Sequence, residues 1–106
     1  MMETVDLYGF GSFFFPRGPV SRDVDILILH QRTDHSSIDF AIQCKAAIKT
    51  FIRSVDVVML SRSEEKELAF LRKCRGRLLG RVTDTDPSRQ LEAICRSALA
   101  PSNLTW

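Results

Sequence analysis

Residues 5–29 read VDLYGFGSFFFPRGPVSRDVDILIL, and how this stretch folds decides the architecture. Its two ends are rich in branched and aromatic residues, the composition of β-strands. The first strand, residues 5–10, runs into Gly11-Ser12, and residues 24–29 carry the strongest strand signal in the chain. Between them Pro16, Gly18 and Pro19 enforce a turn with space for one short helical turn at most. Only the ten residues 13–22 separate Gly11-Ser12 from Asp23, fewer than the dozen or more that a parallel crossover needs, which predicts that the two strands pair antiparallel.

Downstream the period changes. Over residues 36–52, Ile38, Ala41, Ile42, Ile48, Phe51 and Ile52 fall on one helical stripe, with Asp39, Gln43, Lys45 and Lys49 off it. Residues 55–60 (VDVVML) form a third strand. Ser61 then opens a helix through a Ser-x-x-Glu capping pattern to Glu64. That helix is read as continuous, with Leu68, Leu71 and Cys74 as its apolar side and Gly76 as its stop. Residues 78–83 suit a short edge strand. Asp86 caps a last helix with Pro87 in its first turn, Leu91, Ile94, Cys95 and Ala98 as its buried face, and Pro101 at its end. The order β-β-α-β-α-β-α predicts an α/β chain of the two-layer α+β kind, a small mixed sheet with helices against one face.

A chain of 106 residues is one domain, 1–106, with no room for a second core. Hydrophobic residues at 44% and charged residues at 26% exclude a disordered chain. No apolar run approaches the ~20 residues that span a bilayer, so no membrane is expected. The acidic N-terminal residues suggest no signal peptide. Cys44, Cys74 and Cys95, odd in number and far apart, argue against disulfides or zinc and for a reducing, cytoplasmic setting, each as a buried apolar filler. A net charge of +2 requires no polyanionic partner, and nucleic acid is not expected. The basic run Arg72, Lys73, Arg75, Arg77 and Arg81 reads as a solvated helix end.

Three carboxylates carry the chemistry. Asp23 and Asp25 are two apart at a strand start, so both side chains point to one face. Asp56 sits at the same kind of position on the next strand. If those strands are neighbours, the three acids converge at one end of the sheet and repel unless a cation neutralises them. Oxygen-only ligands suit Mg²⁺. Gly11-Ser12, in the turn after the first strand, offers backbone N–H groups and a hydroxyl to phosphate oxygens, with Arg17 and Arg22 in reach of a triphosphate. Acids beside a phosphate cradle are what two-metal phosphoryl or nucleotidyl transfer requires.

Gly11-Ser12, ten residues, then Asp23-Val24-Asp25, with Asp56 following in Ser54-Val55-Asp56-Val57-Val58, resembles the motif of the DNA polymerase β-like nucleotidyltransferase superfamily. The resemblance is closest to its minimal nucleotidyltransferases of antitoxin type and covers roughly residues 5–83. It implies a polymerase β palm-like fold in which Asp23 and Asp25 hold two Mg²⁺ ions and Asp56 completes the site of the ion that activates the attacking hydroxyl. Gly11 and Ser12 would hold the β and γ phosphates of ATP or another NTP. Such proteins act beside a small helical HEPN-type toxin, and some transfer AMP from ATP onto it, a protein adenylyltransferase activity. Two departures stand out. Relatives have small and basic residues after the Gly-Ser pair, where this chain has Phe13, Phe14 and Phe15, and they have a helix before the first strand. The second departure leaves sheet surface for a partner or a second copy to cover.

The competing functions are a non-catalytic module that neutralises a partner by contact, and nucleotide addition to an RNA end. Of the three phenylalanines, one or two should pack inward and at least one outward, and strand-like alternation favours Phe14 as the outward ring. His30 and His35 are read as surface loop residues. Tyr8 and Asp6 are assigned no chemistry, and Trp106 is read as frayed or docked on a partner.

Overall fold

The computed structural model describes residues 2–15 and 23–99. β1 (Thr4–Phe10) and β2 (Val24–His30) pair antiparallel, Val5 opposite His30 and Phe10 opposite Asp25, as the short connection demands. α1 (His35–Phe51) carries the chain back so that β3 (Val55–Ser61) runs parallel to β2, Val24 beside Val55 and Asp25 beside Asp56. After α2 (Arg62–Leu68) and α3 (Phe70–Cys74), β4 (Arg77–Thr83) pairs antiparallel with the free side of β1, and α4 (Pro87–Ala98) follows. The mixed sheet has the order β3-β2-β1-β4.

The core lies between the sheet and the α1–α4 layer. Val5 and Leu7 of β1, Val24, Ile26 and Ile28 of β2, and Val82 of β4 meet Phe40, Ala41, Cys44 and Ile48 of α1 and Leu91 and Cys95 of α4. Each large side chain removed from water here contributes about 1.5–3 kcal/mol. Leu27 and Leu29, on the opposite face of β2, are buried as well, which explains why that strand reads as a continuous apolar run. Burial pushes the thiols of Cys44 and Cys95 up to about 12 and about 11, so both are inert packing groups.

The structure corrects several expectations. The buried stripe of α1 is Ser37, Phe40, Ala41, Cys44 and Ile48, while Ile42 and Phe51 are exposed. Ile42 lies about 120° around the helix from Ile48, outside the face that meets the sheet. The helix after Ser61 is not continuous. Its capping box forms as expected, but Ala69 adopts a left-handed φ of 50° and splits it into α2 and α3, leaving Leu68 exposed. The left-handed residue that ends α3 is Arg75, not Gly76; a Cβ on Gly76 would strike the Leu71 side chain. Nor do all helices share one face. Alternation along β1 sets Asp6 and Phe10 opposite to Val5 and Leu7, and these two receive Arg62 of α2 and the Phe70 ring of α3.

Two side chains given no role turn out to tie the elements together. Asp6 is buried and accepts hydrogen bonds from Arg62 (2.7 Å) and Arg81 (2.8 Å), joining β1, α2 and β4. His30 is buried rather than in a surface loop; its Nδ1 lies 2.8 Å from the Arg32 carbonyl and 3.5 Å from Ser37 Oγ. His35, the first residue of α1, is exposed.

Candidate functional site

β2 and β3 run parallel and in register, so Asp25 and Asp56 are direct neighbours on one face of the sheet. Asp23 lies two residues before Asp25, on the same face, and its Oδ1 accepts the hydroxyl proton of Ser54 in a short hydrogen bond. A backbone bond from Val24 N–H to the Ser54 carbonyl (3.1 Å) locks the start of β2 against the entry to β3. The sequence thus brings its three candidate acids to one end of one sheet face, as the strand pairing requires. Burial, then the charge of Asp56, then that of Asp23, hold the Asp25 carboxyl above its ordinary value. Ser54 has no place in the sequence reading, although its spacing of two from Asp56 already puts it on the acid face.

Gly11 follows β1 directly, with a left-handed φ of 79°. A side chain there would drive its Cβ into Asp25 Oδ2, so only glycine lets the backbone pass against the carboxylate. The phosphate-binding candidate and the central acid are therefore in contact, across the Phe10–Asp25 pair. Phe15 N–H donates to the Gly11 carbonyl at 3.0 Å, closing a helical turn that begins with Gly11 and Ser12.

That turn also settles the aromatic residues. Phe13 and Phe14 pack against the core and meet edge to face, ring centres 5.1 Å apart, with Phe14 filling the space above Gly9. Phe15, not Phe14, is the outward ring, at 40% exposure. Strand-like alternation does not apply because the segment coils.

The GSF turn faces α3. Gly11 and Phe15 on one side and Lys73, Cys74 and Arg75 on the other line a cavity of about 350 Å³. Lys73 and Arg75, expected as part of a solvated helix end, are both exposed and line this cavity together with Gly11. Their signal was the acid-free basic run. Burial raises the Cys74 thiol above its ordinary value, so it is not a nucleophile there. Arg17 and Arg22, candidates for triphosphate contact, and Trp106 lie outside the described residues.

The donor set tests against Mg²⁺ in two parts. Its chemistry fits: three carboxylates, no nitrogen or sulfur, on adjacent strand ends with mutual repulsion for a cation to relieve. Among the described residues, however, no three acidic, histidine or cysteine side chains converge closely enough to form a metal-holding group, so the aspartates stand as an open row. Among the described residues no helix is long and apolar enough to cross a membrane. The chain matches no protein-family model, no curated protein and no solved structure.

Proposed function

We propose that this chain is a Mg²⁺-dependent nucleotidyltransferase that moves a nucleoside monophosphate, AMP from ATP in the simplest case, onto a protein partner. The observation that carries the reading is the contact between Gly11 and Asp25, with Asp56 in register beside it: a row of acids abutting a glycine turn. In this reading Gly11 N–H and the Ser12 backbone and hydroxyl hold phosphate oxygens, and Asp23, Asp25 and Asp56 hold the metal. The metal, when bound, neutralises the acids and the triphosphate and stabilises charge developing on the transferring phosphoryl group. The bond from the α-phosphorus to the acceptor hydroxyl forms as the bond to pyrophosphate breaks, and Asp56, the exposed acid on β3, takes the hydroxyl proton. Ser54 keeps the Asp23 carboxylate turned toward β3.

The acceptor we propose is a small helical protein of the HEPN toxin type. The exposed Phe15 ring beside Gly11 supports a protein acceptor, to which it offers an apolar contact. The test incubates the chain with labelled ATP, Mg²⁺ and the product of its neighbouring gene, or a HEPN-type helical protein if the neighbour is of another kind. Label and a mass gain of one AMP should appear on the partner, and Asp56→Asn should stop transfer while leaving the complex intact. If Asp23→Asn and Asp56→Asn neutralise the partner as well as the native chain does, with no mass gain, the protein is a contact module instead.

A further inference from the structure

We infer that Lys73 and Arg75 form a cationic wall that binds the phosphates of a metal-bound polyphosphate across the cavity from Gly11. The inference rests on the transferase reading for the identity of the nucleotide, but the anion subsite itself stands on its own geometry. Three observations place it. The left-handed break at Ala69 ends α2 and starts α3 as a separate helix. Phe70 then anchors α3 on Phe10, the residue before Gly11, with ring centres 5.2 Å apart and planes at 90°. Five residues later the second left-handed residue, Arg75, ends the helix beside the cavity, its N–H and that of Gly76 both bonded to the Leu71 carbonyl. The two cations therefore flank the glycine turn by construction of the fold.

The charges select the ligand. Among the described residues neither Lys73 nor Arg75 has an ion-pair partner, which they share with other exposed cations such as Lys49 and Arg53; what sets them apart is that both line the cavity that Gly11 lines. Two cations lining one cavity suit an anion, a point charge from the lysine and a planar fork from the arginine, both matched to phosphate. The acid row next to Gly11 repels a bare anion but accepts one that carries a divalent cation. Magnesium-bound polyphosphate satisfies both walls. The cavity, about 350 Å³, falls within the ~300–1,000 Å³ range of small-molecule sites.

Arg75→Gly supplies a clean test, because glycine adopts the left-handed φ of 56° without strain and the fold keeps its turn. Calorimetry would compare magnesium tripolyphosphate and magnesium ATP on the native chain, Lys73→Ala, Arg75→Gly and the remote control Lys49→Ala. Each cavity variant should lose about ten- to hundred-fold in affinity for both probes, the size of a charge-assisted hydrogen bond, at a melting temperature no lower than that of the native chain, and the control should change by less than about twofold. Tripolyphosphate that fails to bind the native chain, or binds all four proteins alike, overturns the inference. If ATP binding is lost in Asp25→Asn but untouched in Lys73→Ala and Arg75→Gly, the subsite falls and the transferase reading stands. If tripolyphosphate binding depends on both cations but no nucleotide is ever transferred, the subsite stands and the transferase reading falls.

Discussion

Asp25 sits at the centre of three like charges, so Asp25→Asn should stabilise the metal-free protein. Adjacent strands lie about 4.8 Å apart and residues two apart on a strand about 6.6 Å, which sets the distances to Asp56 and Asp23. Because both neighbours are exposed, the interaction is taken in water: about 0.9 kcal/mol with Asp56 and about 0.6 kcal/mol with Asp23 at low salt. Screening at physiological ionic strength roughly halves both. The expected gain is therefore about 0.7 kcal/mol in 0.15 M salt, a rise of roughly 3–6 °C in melting temperature for a domain of this size. Thermal unfolding in EDTA at pH 7, followed by circular dichroism, reads it directly. The folded carboxyl lies above its ordinary value, so the penalty is full at neutral pH and disappears as pH falls through that raised value toward the unfolded one. Magnesium should raise the melting temperature of the native chain more than that of the variant. A variant that melts at or below the native temperature in EDTA refutes the electrostatic account of the row.

Asp6 runs with the opposite sign. Burial alone would raise its carboxyl, but hydrogen bonds and charge from Arg81 and then Arg62 outweigh it and hold the group below its ordinary value, so its contribution is full at neutral pH and is lost as pH falls below about 4. Asp6→Asn should cost about 1–3 kcal/mol at pH 7 and flatten the acid limb of the stability curve, as urea titrations from pH 2 to 7 would record. Gly11→Ala combines left-handed strain with a clash against Asp25 and should cost about 1–3 kcal/mol and abolish ATP binding, read by melting and calorimetry on the same sample. Phe15→Ser should leave the melting temperature nearly unchanged and weaken partner binding by roughly ten- to hundred-fold, the loss of one buried aromatic, whereas Phe14→Ser should destabilise the monomer.

Local chemistry makes much of this legible in the sequence. The short proline- and glycine-bearing stretch between Ser12 and Asp23 pointed to antiparallel pairing of β1 and β2, and the Ser61–Glu64 capping box announced the start of α2. The acid row followed from alternation within β2 and one assumption, that β3 lies beside it, which the register of Asp25 with Asp56 meets. What stayed hidden depends on contacts between distant residues. Nothing in the local pattern around Ala69 requires a left-handed break; the docking of Phe70 on Phe10 accompanies it. Burial of His30 depends on Ser37 and the Arg32 carbonyl closing over it, and the burial of Asp6 on arginines 56 and 75 positions away. The outward ring is Phe15 and not Phe14 because the segment coils, so the strand's alternation does not extend into it. The juxtaposition of Lys73 and Arg75 with Gly11 needs both left-handed turns, which no helical pattern encodes.

The central claim is that the acids and the glycine turn form one site for a metal-bound nucleotide. Calorimetric titration of ATP into the purified chain, with Mg²⁺ and again with EDTA, tests it most directly. The account predicts binding with Mg²⁺, at least tenfold weaker binding in EDTA, and loss of the difference when Asp23 and Asp25 are both changed to Asn. Equal ATP affinity in Mg²⁺ and EDTA, or Mg²⁺-dependent binding that survives the double change, would contradict it.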